Sequence, residues 1–386
     1  MNWKQWTGIF LLSTMPSLAL AQDARSFAIG GAAVGGFNGP FSIYWNPAGL
    51  TPMTSGTSPW SFSTGYSALN SSNSGSPILR FNSSAALASG QDPVSQRLED
   101  LGLVAVQYLS YGGGVLYDHT QDSVESHDAY QFFADQQSGA ITLSSGTTYN
   151  LNEQQTTQDV ETLILSYSTQ LPLTSFKFVS AGFSLKYHYG TQFSQTALSG
   201  SFIQGSGGPV TYTKTTSTSG LGLSTDAGLL AKVTDGLQVG VLFQNLTSSF
   251  NWTAQQQSYA LDPSTGAEAV TATQSVTISA PFPYTVKVGI LAAPSDSDTF
   301  VDAEADFAKG QPTRWKVGIE RFYPANNLVV RLGTFADPVS GDQLWAIGAG
   351  FATNQFSLNG AFITRSLPNL EDSVALGGAL DATVRF

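Results

Sequence analysis

Along the C-terminal half of the chain, apolar residues alternate with polar or small ones in segments of strand length. The clearest are 299–308, 313–322, 327–335, 343–351, 355–364 and 374–386. Successive strand side chains point to opposite faces, so period two gives each segment one apolar and one polar face. The same pattern marks 56–68, 103–109, 113–119, 160–171, 178–190, 222–232, 237–246 and 284–292. These make fourteen predicted strands, and no segment of helical period interrupts them. A βαβ or dinucleotide-binding architecture is thereby excluded.

The connections sort into two kinds. Those after the even-numbered strands, 110–112, 172–177, 233–236, 293–298, 323–326 and 352–354, are short. The others include four long ones, 69–102, 120–159, 191–221 and 247–283. Short turns at one end and long loops at the other are the pattern of an outer-membrane barrel. A soluble β-sandwich has no reason to sort its loops by length. An even strand number puts both termini at the short-turn, periplasmic end.

Charge follows the same alternation. Asp302, Glu304 and Asp306 share one parity, opposite Val301, Ala303, Ala305 and Phe307. In the next segment Arg314, Lys316 and Glu320 lie opposite Trp315, Val317 and Ile319. A turn over 309–312 sets Asp306 across from Arg314 and Glu304 across from Lys316, and opposite charges across a strand pair stabilise it. Arg or Lys on the lipid face near the midplane costs about 2–4 kcal/mol, so this ladder is predicted to face the lumen. The solvent face of a soluble sheet could carry the same ladder; the sorted loops and the C-terminus separate the two readings. In the last strand Leu380, Ala382, Val384 and Phe386 share a face, and the chain stops at Phe386. That ending resembles the signal read by the barrel-assembly machinery, which becomes a predicted partner.

Composition narrows the classes further. Only 11% of residues are charged, against about 25% in a typical soluble domain, while 41% are hydrophobic. That disfavours both a cytosolic enzyme and disorder. The absence of cysteine removes disulfides, thiolate metal sites and a Cys nucleophile. A net charge of −11 disfavours a nucleic-acid partner. Asp118 and His119, or His127 and Asp128, are neighbours in sequence, but adjacent strand residues point apart. No serine lies in a G-x-S-x-G elbow. The expectation is a non-enzyme without metal or cofactor. Residues 112–114, three glycines, read either as a tight turn with a bulge or as a kink opening the wall sideways.

At the N-terminus, Lys4, the apolar stretch 8–15 and the small-residue site Ala19-Leu20-Ala21 read as a signal peptide, 1–21. The apolar stretch is far short of the roughly 20 residues a membrane helix needs. Residues 22–53 are rich in glycine and small residues and do not alternate. They contain Asp23-Ala24-Arg25, Gly30-Gly31-Ala32 and Tyr44-Trp45-Asn46-Pro47-Ala48-Gly49-Leu50. In these elements the chain resembles the FadL-like superfamily of outer-membrane barrels. That superfamily holds fatty-acid and aromatic-hydrocarbon channels, PorV-type shuttle proteins of type IX secretion, and TraF-like proteins. The resemblance continues through 237–246, 281–290, 317–322 and 348–351 and is weakest over 69–159.

The resemblance implies an all-β, transmembrane antiparallel barrel of about fourteen strands, 54–386, around an N-terminal plug or hatch, 22–53. Asn46, Pro47 and Ala48 would belong to the hatch, and Arg25 would meet a luminal carboxylate. A barrel of that width is not filled by its own side chains, which agrees with a plug. Phe41, Tyr44 and Trp45 are candidates for a ligand-facing wall. A short helix over 124–137 would carry Tyr130, Phe132 and Phe133, either packed on the rim or forming a landing groove for an apolar ligand. The implied function is passive uptake of a hydrophobic small molecule through the outer membrane of a Gram-negative-type cell, with membrane lipid as a second partner. The long Ser- and Thr-rich loops suit another reading, a scaffold for a secreted or surface protein. A third is a structural protein without cargo.

Overall fold

The computed structural model describes residues 23–36, 38–52, 59–72, 93–138, 148–203, 210–262, 267–293, 298–336, 343–364 and 376–386. The expected signal peptide, and residues 56–58 and 374–375 of two expected strands, lie outside them. The strands in chain order are β1 (Trp60–Ser72), β2 (Val94–Tyr108), β3 (Tyr111–Glu125), β4 (Thr148–Gln170), β5 (Phe178–Ile203), β6 (Val210–Ser217), β7 (Gly220–Thr234) and β8 (Leu237–Leu261). They continue as β9 (Glu268–Ser279), β10 (Thr285–Ala292), β11 (Thr299–Ala308), β12 (Arg314–Tyr323), β13 (Leu328–Ala336), β14 (Gln343–Ala352), β15 (Phe356–Thr364) and β16 (Leu376–Arg385). All pair antiparallel in one sheet. Fourteen close into a barrel, sealed where β16 meets β1 with Ser63 opposite Thr383. β6 and β9 stand outside that ring: β6 bridges the upper parts of β5 and β8, and β9 pairs with β8.

The outer face carries the apolar parity. Phe62, Val104, Val106, Val115, Leu163, Leu165, Leu185, Val317, Ile319 and Leu332 are all exposed there. Trp60, Tyr108, Tyr111 and Tyr167 form an aromatic row near the short-turn rim, with the first pair of rings 4.5 Å apart. Tyr66, Tyr117 and Tyr189 make a second row six residues further along their strands. A largely apolar belt between aromatic rows is the surface a membrane barrel turns to lipid.

Three strands run well beyond the segments read from the alternation. β4, β5 and β8 have 23, 26 and 25 residues. Much of what reads as loop in 120–159, 191–221 and 247–283 is therefore sheet, raised above the barrel and extended by β6 and β9. The glycines 112–114 also differ from both readings. The turn is Leu109–Ser110, with Leu109 at φ 52°, and β3 runs through the glycines in unbroken register with β2 and β4. Their purpose is space. A Cβ on Gly112 would lie 2.5 Å from Ile43, and one on Gly114 would lie 2.6 Å from it.

Ile43 belongs to the N-terminal segment, which lies inside the barrel. It contains α1 (Ala24–Ala28), α2 (Ser42–Trp45) and a 3₁₀ turn over Pro47–Leu50, nearly all buried. A longer helix, α3 (His127–Ser138), sits at the opposite, loop rim, with Ser126 Oγ accepting the Ala129 N–H at its start.

Candidate functional site

Inward-pointing glycines let the segment approach the wall. A Cβ on Gly182 would lie 2.3 Å from the backbone of Pro47 and Ala48, and one on Gly240 would lie 2.0 Å from the Val34 carbonyl. Gly289 meets Gly35, and Gly318 and Gly333 meet Ile29 and Gly30, in the same way, while Gly348 faces the Ala28 methyl group. Glycine is the residue for such backbone-to-backbone approach. Reading the sequence for apolar periodicity passes over these positions. Their signal was there all the same: single glycines at the inward parity of successive strands.

Charge anchors the first half of the segment. Arg25 forks onto Glu320, Nε to Oε2 at 3.1 Å and Nη2 to Oε1 at 3.3 Å. Glu320 also accepts from Arg331, which donates to Asn359 at 2.9 Å; Asn359 donates to Asp381 at 2.6 Å. Asp381 accepts the Arg25 backbone N–H at 3.2 Å, closing the ring. The Glu304 carboxylate accepts the N–H groups of Ala33 and Val34 at 2.9 and 2.8 Å and the Lys316 ammonium at 2.8 Å. Register pairs Glu304 with Lys316 and Asp306 with Arg314, and Lys316 reaches Asp306 at 2.7 Å. Asp302 is buried against Gly36. Ion pairs removed from water require this dense bonding, because an unmatched partner costs several kcal/mol by the usual order of magnitude.

The second half is held to the barrel wall by neutral groups. Asn46 caps the 3₁₀ turn by accepting the Ala48 N–H, and its amide donates to the carbonyls of Val34 and Leu229 at 3.2 and 3.1 Å. Pro47 starts the turn, where a missing N–H costs nothing. The Ala48 carbonyl accepts from Ser180 and that of Leu50 from Gln107. Trp45 is fully buried and donates its indole N–H to Asp23 at 2.7 Å. Phe41, Ile43, Tyr44, Trp45 and Leu50 pack against Leu101, Leu103, Leu116 and Ile164.

Above this half lies a cavity of about 50 Å³. Tyr44, Leu116, Val160, Ile164 and Phe282 give it apolar walls, with Asp118, Lys186, His188, Gln244 and Lys287 as polar ones. Of the three wall candidates on the segment, Tyr44 lines the cavity. Phe41 and Trp45 are packed behind it. His188 is fixed between the hydroxyls of Thr162 and Ser224, both at 2.8 Å. Lys186 pairs with Asp226 at 2.5 Å. Lys287 is 3% exposed and makes no ion pair among the described residues; its ammonium lies 5.8 Å from the Trp45 ring centroid. The volume admits a few water molecules, far less than the roughly 300 Å³ of a typical ligand pocket, so a ligand must displace side chains. On the other side of the segment, at the turn rim, an open depression of about 720 Å³ is bordered by Thr51, Pro52, Lys177 and Asp235.

The loop-rim candidates lie apart from this cavity. Phe132 is fully buried among Tyr149, Leu151, Leu198 and Phe202, with Phe133 packed alongside, and Tyr130 packs on Val94. Burial and its hydrogen bond to Asp135 push the Tyr149 hydroxyl up to about 12. Asp118 faces inward and His119 pairs with Asp159, so these sequence neighbours serve different faces.

Neither a family model nor a curated protein matches the sequence. Solved structures do. The toluene transporter TodX of P. putida superposes with a TM-score of 0.60 at 13% identity, over 95% of this chain and 99% of that one. The Ralstonia pickettii toluene transporter TbuX gives 0.58 at 13% identity, over 94% and 98%. A Pseudomonas aeruginosa FadL homologue gives 0.52 at 13% identity, over 95% and 99%. The class the fold defines is a transmembrane β-barrel with a chain segment in its lumen. Within that class, the fold is that of the FadL- and TodX-type barrels.

Proposed function

We propose that the protein is an outer-membrane channel for passive uptake of hydrophobic small molecules, with residues 22–53 as its plug. The observation that carries this reading is the small, part-apolar cavity between Tyr44 of the plug and the barrel wall. The similar structures are toluene transporters and a FadL homologue, which supports the same direction. A ligand arrives from the loop rim, occupies the space beside Tyr44, and leaves past Thr51 into the turn-rim depression when the plug shifts. Lys287, which lies opposite Asp306 but makes no ion pair among the described residues, favours a ligand with an acidic end, such as a fatty acid, over a plain hydrocarbon. Saturable binding of radiolabelled fatty acid by the purified barrel, weakened at least tenfold in Lys287→Met, is the expected result. Equal binding of toluene and fatty acid by both proteins argues against the acid, and no saturable binding of either argues against the channel. In this reading the signal peptide delivers the chain to the periplasm, and the assembly machinery reads Phe386, which is 73% exposed beside the β1–β16 seam.

One observation favours the scaffold reading. β9 is exposed along nearly its whole length, and among the described residues its outer edge has no strand partner. An open edge can pair with a strand of another protein. A stoichiometric protein recovered with the barrel from native membranes, and lost on deleting β9, decides for it.

A further inference from the structure

Between β9 and β10 the chain runs Ala280-Pro281-Phe282-Pro283-Tyr284 without joining the sheet ladder. β10 begins at Thr285, opposite Gln244 of β8, and β9 meets β8 only from Asn251, opposite Ser279. Prolines have no N–H to give a ladder, which explains the gap. Three hydrogen bonds hold the strap to β8: Ala280 N–H to the Phe250 carbonyl at 2.8 Å, Phe282 N–H to Ser248 Oγ at 2.7 Å, and the Asn245 amide to the Pro283 carbonyl at 3.1 Å. Beneath it the β7–β8 register slips, with Thr225 opposite Thr247 but Ala227 opposite Phe243. Asn245 sits in that slip at φ 55°.

The ring of Phe282 lies against the cavity. Its centroid is 4.1 Å from that of His188 and 5.5 Å from that of Phe250. Phe282 is partly exposed and precedes β10, at the loop-rim end of that strand. His188 is tied by Thr162 and Ser224 on other strands, so it stays in place if the strap moves. Swinging the strap breaks at most three hydrogen bonds and no ladder. We propose that Phe282 is the gate on the loop-rim side of the cavity. An apolar group of the ligand takes the place of its ring against His188 and Phe250, and that exchange selects what is admitted. The identity of the ligand rests on the uptake reading above; the gate itself can be tested without it.

The chain has no cysteine, so a single Val160→Cys on the cavity wall gives a unique probe. Purified barrel is treated with methyl methanethiosulfonate, a small uncharged thiol reagent, and the rate of labelling is measured. Folding of each variant is checked by heat-modifiable gel migration. Phe282→Ala is expected to raise the rate tenfold or more, and Phe282→Trp to lower it. Ser248→Ala keeps the ring but frees the strap, so it should raise the rate severalfold. Unchanged labelling in folded Phe282→Ala and Ser248→Ala barrels overturns the gate. So does a rise produced by Tyr44→Ala alone, which would put the closure on the plug. Gated labelling without any fatty-acid or toluene binding supports the gate and counts against the uptake reading.

Discussion

Residues 23–36 of the N-terminal segment lie against β10–β16 and the start of β8 and are tied by carboxylates and cations, whereas residues 43–50 lie against β2–β5 and β7 and are tied to the wall by neutral hydrogen bonds and apolar contact. The first contact is dense. Its strands have eight to ten residues, and its inner face carries the Arg25–Glu320–Arg331–Asn359–Asp381 ring and the Glu304–Lys316 pair. The second has the long strands β4 and β5, a register slip in β7 and a cavity. Removing one member of a buried ion pair costs about 3–5 kcal/mol, while a neutral hydrogen bond is worth about 0.5–1.5 kcal/mol. In the uptake reading proposed above, where the segment is a plug that shifts, this asymmetry makes the first side the one that stays and the second the one that yields.

The largest effect should come from denying the segment its seat. In Gly240→Val the new side chain collides with the Val34 carbonyl, and the segment should be expelled from a barrel that still folds. Planar-bilayer recordings should then show a steady open conductance absent from the parent protein. A silent Gly240→Val barrel would break the comparison, because the segment would be seated without close approach. Next, Glu304→Ala leaves the Ala33 and Val34 N–H groups unmatched and takes one of its two carboxylate partners from Lys316, which keeps Asp306, and urea unfolding in detergent should report a loss of about 3–5 kcal/mol. Glu304→Gln, which keeps an acceptor, should lose less. Asn46→Ala, on the yielding side, should cost about 1–3 kcal/mol by the same measurement. Equal losses from Glu304→Ala and Asn46→Ala would remove the distinction between the two sides. The smallest effect on the lumen belongs to Phe132→Ala. It opens a hole in the loop-rim core and should speed proteolysis of α3 while leaving thiol labelling at Val160→Cys unchanged.

Much of the barrel was legible in the sequence because lipid and lumen impose opposite demands on alternate residues. The β11–β12 register, with Glu304 opposite Lys316, follows from parity and a short turn. The upper parts of β4, β5 and β8 were not legible. In Asn152–Gln158 both faces are polar, since water lies on both sides once a strand leaves the membrane, and period two disappears. The glycines 112–114 misled for another reason. A glycine marks close approach as readily as a turn, and the partner, Ile43, is about seventy residues away.

The sequence by itself determined the all-β class, the inward and outward faces, the sorting of turns from long connections, and the small-residue N-terminal segment. Each is a property of neighbours along the chain, where period and composition act. Tertiary structure alone decided that Arg25 closes a ring with four residues from β12, β13, β15 and β16, that Tyr44 rather than Phe41 or Trp45 meets the cavity, and that Phe282 lies on His188. Those contacts join residues far apart in sequence, and only closure of the sheet around the segment brings them within bonding distance.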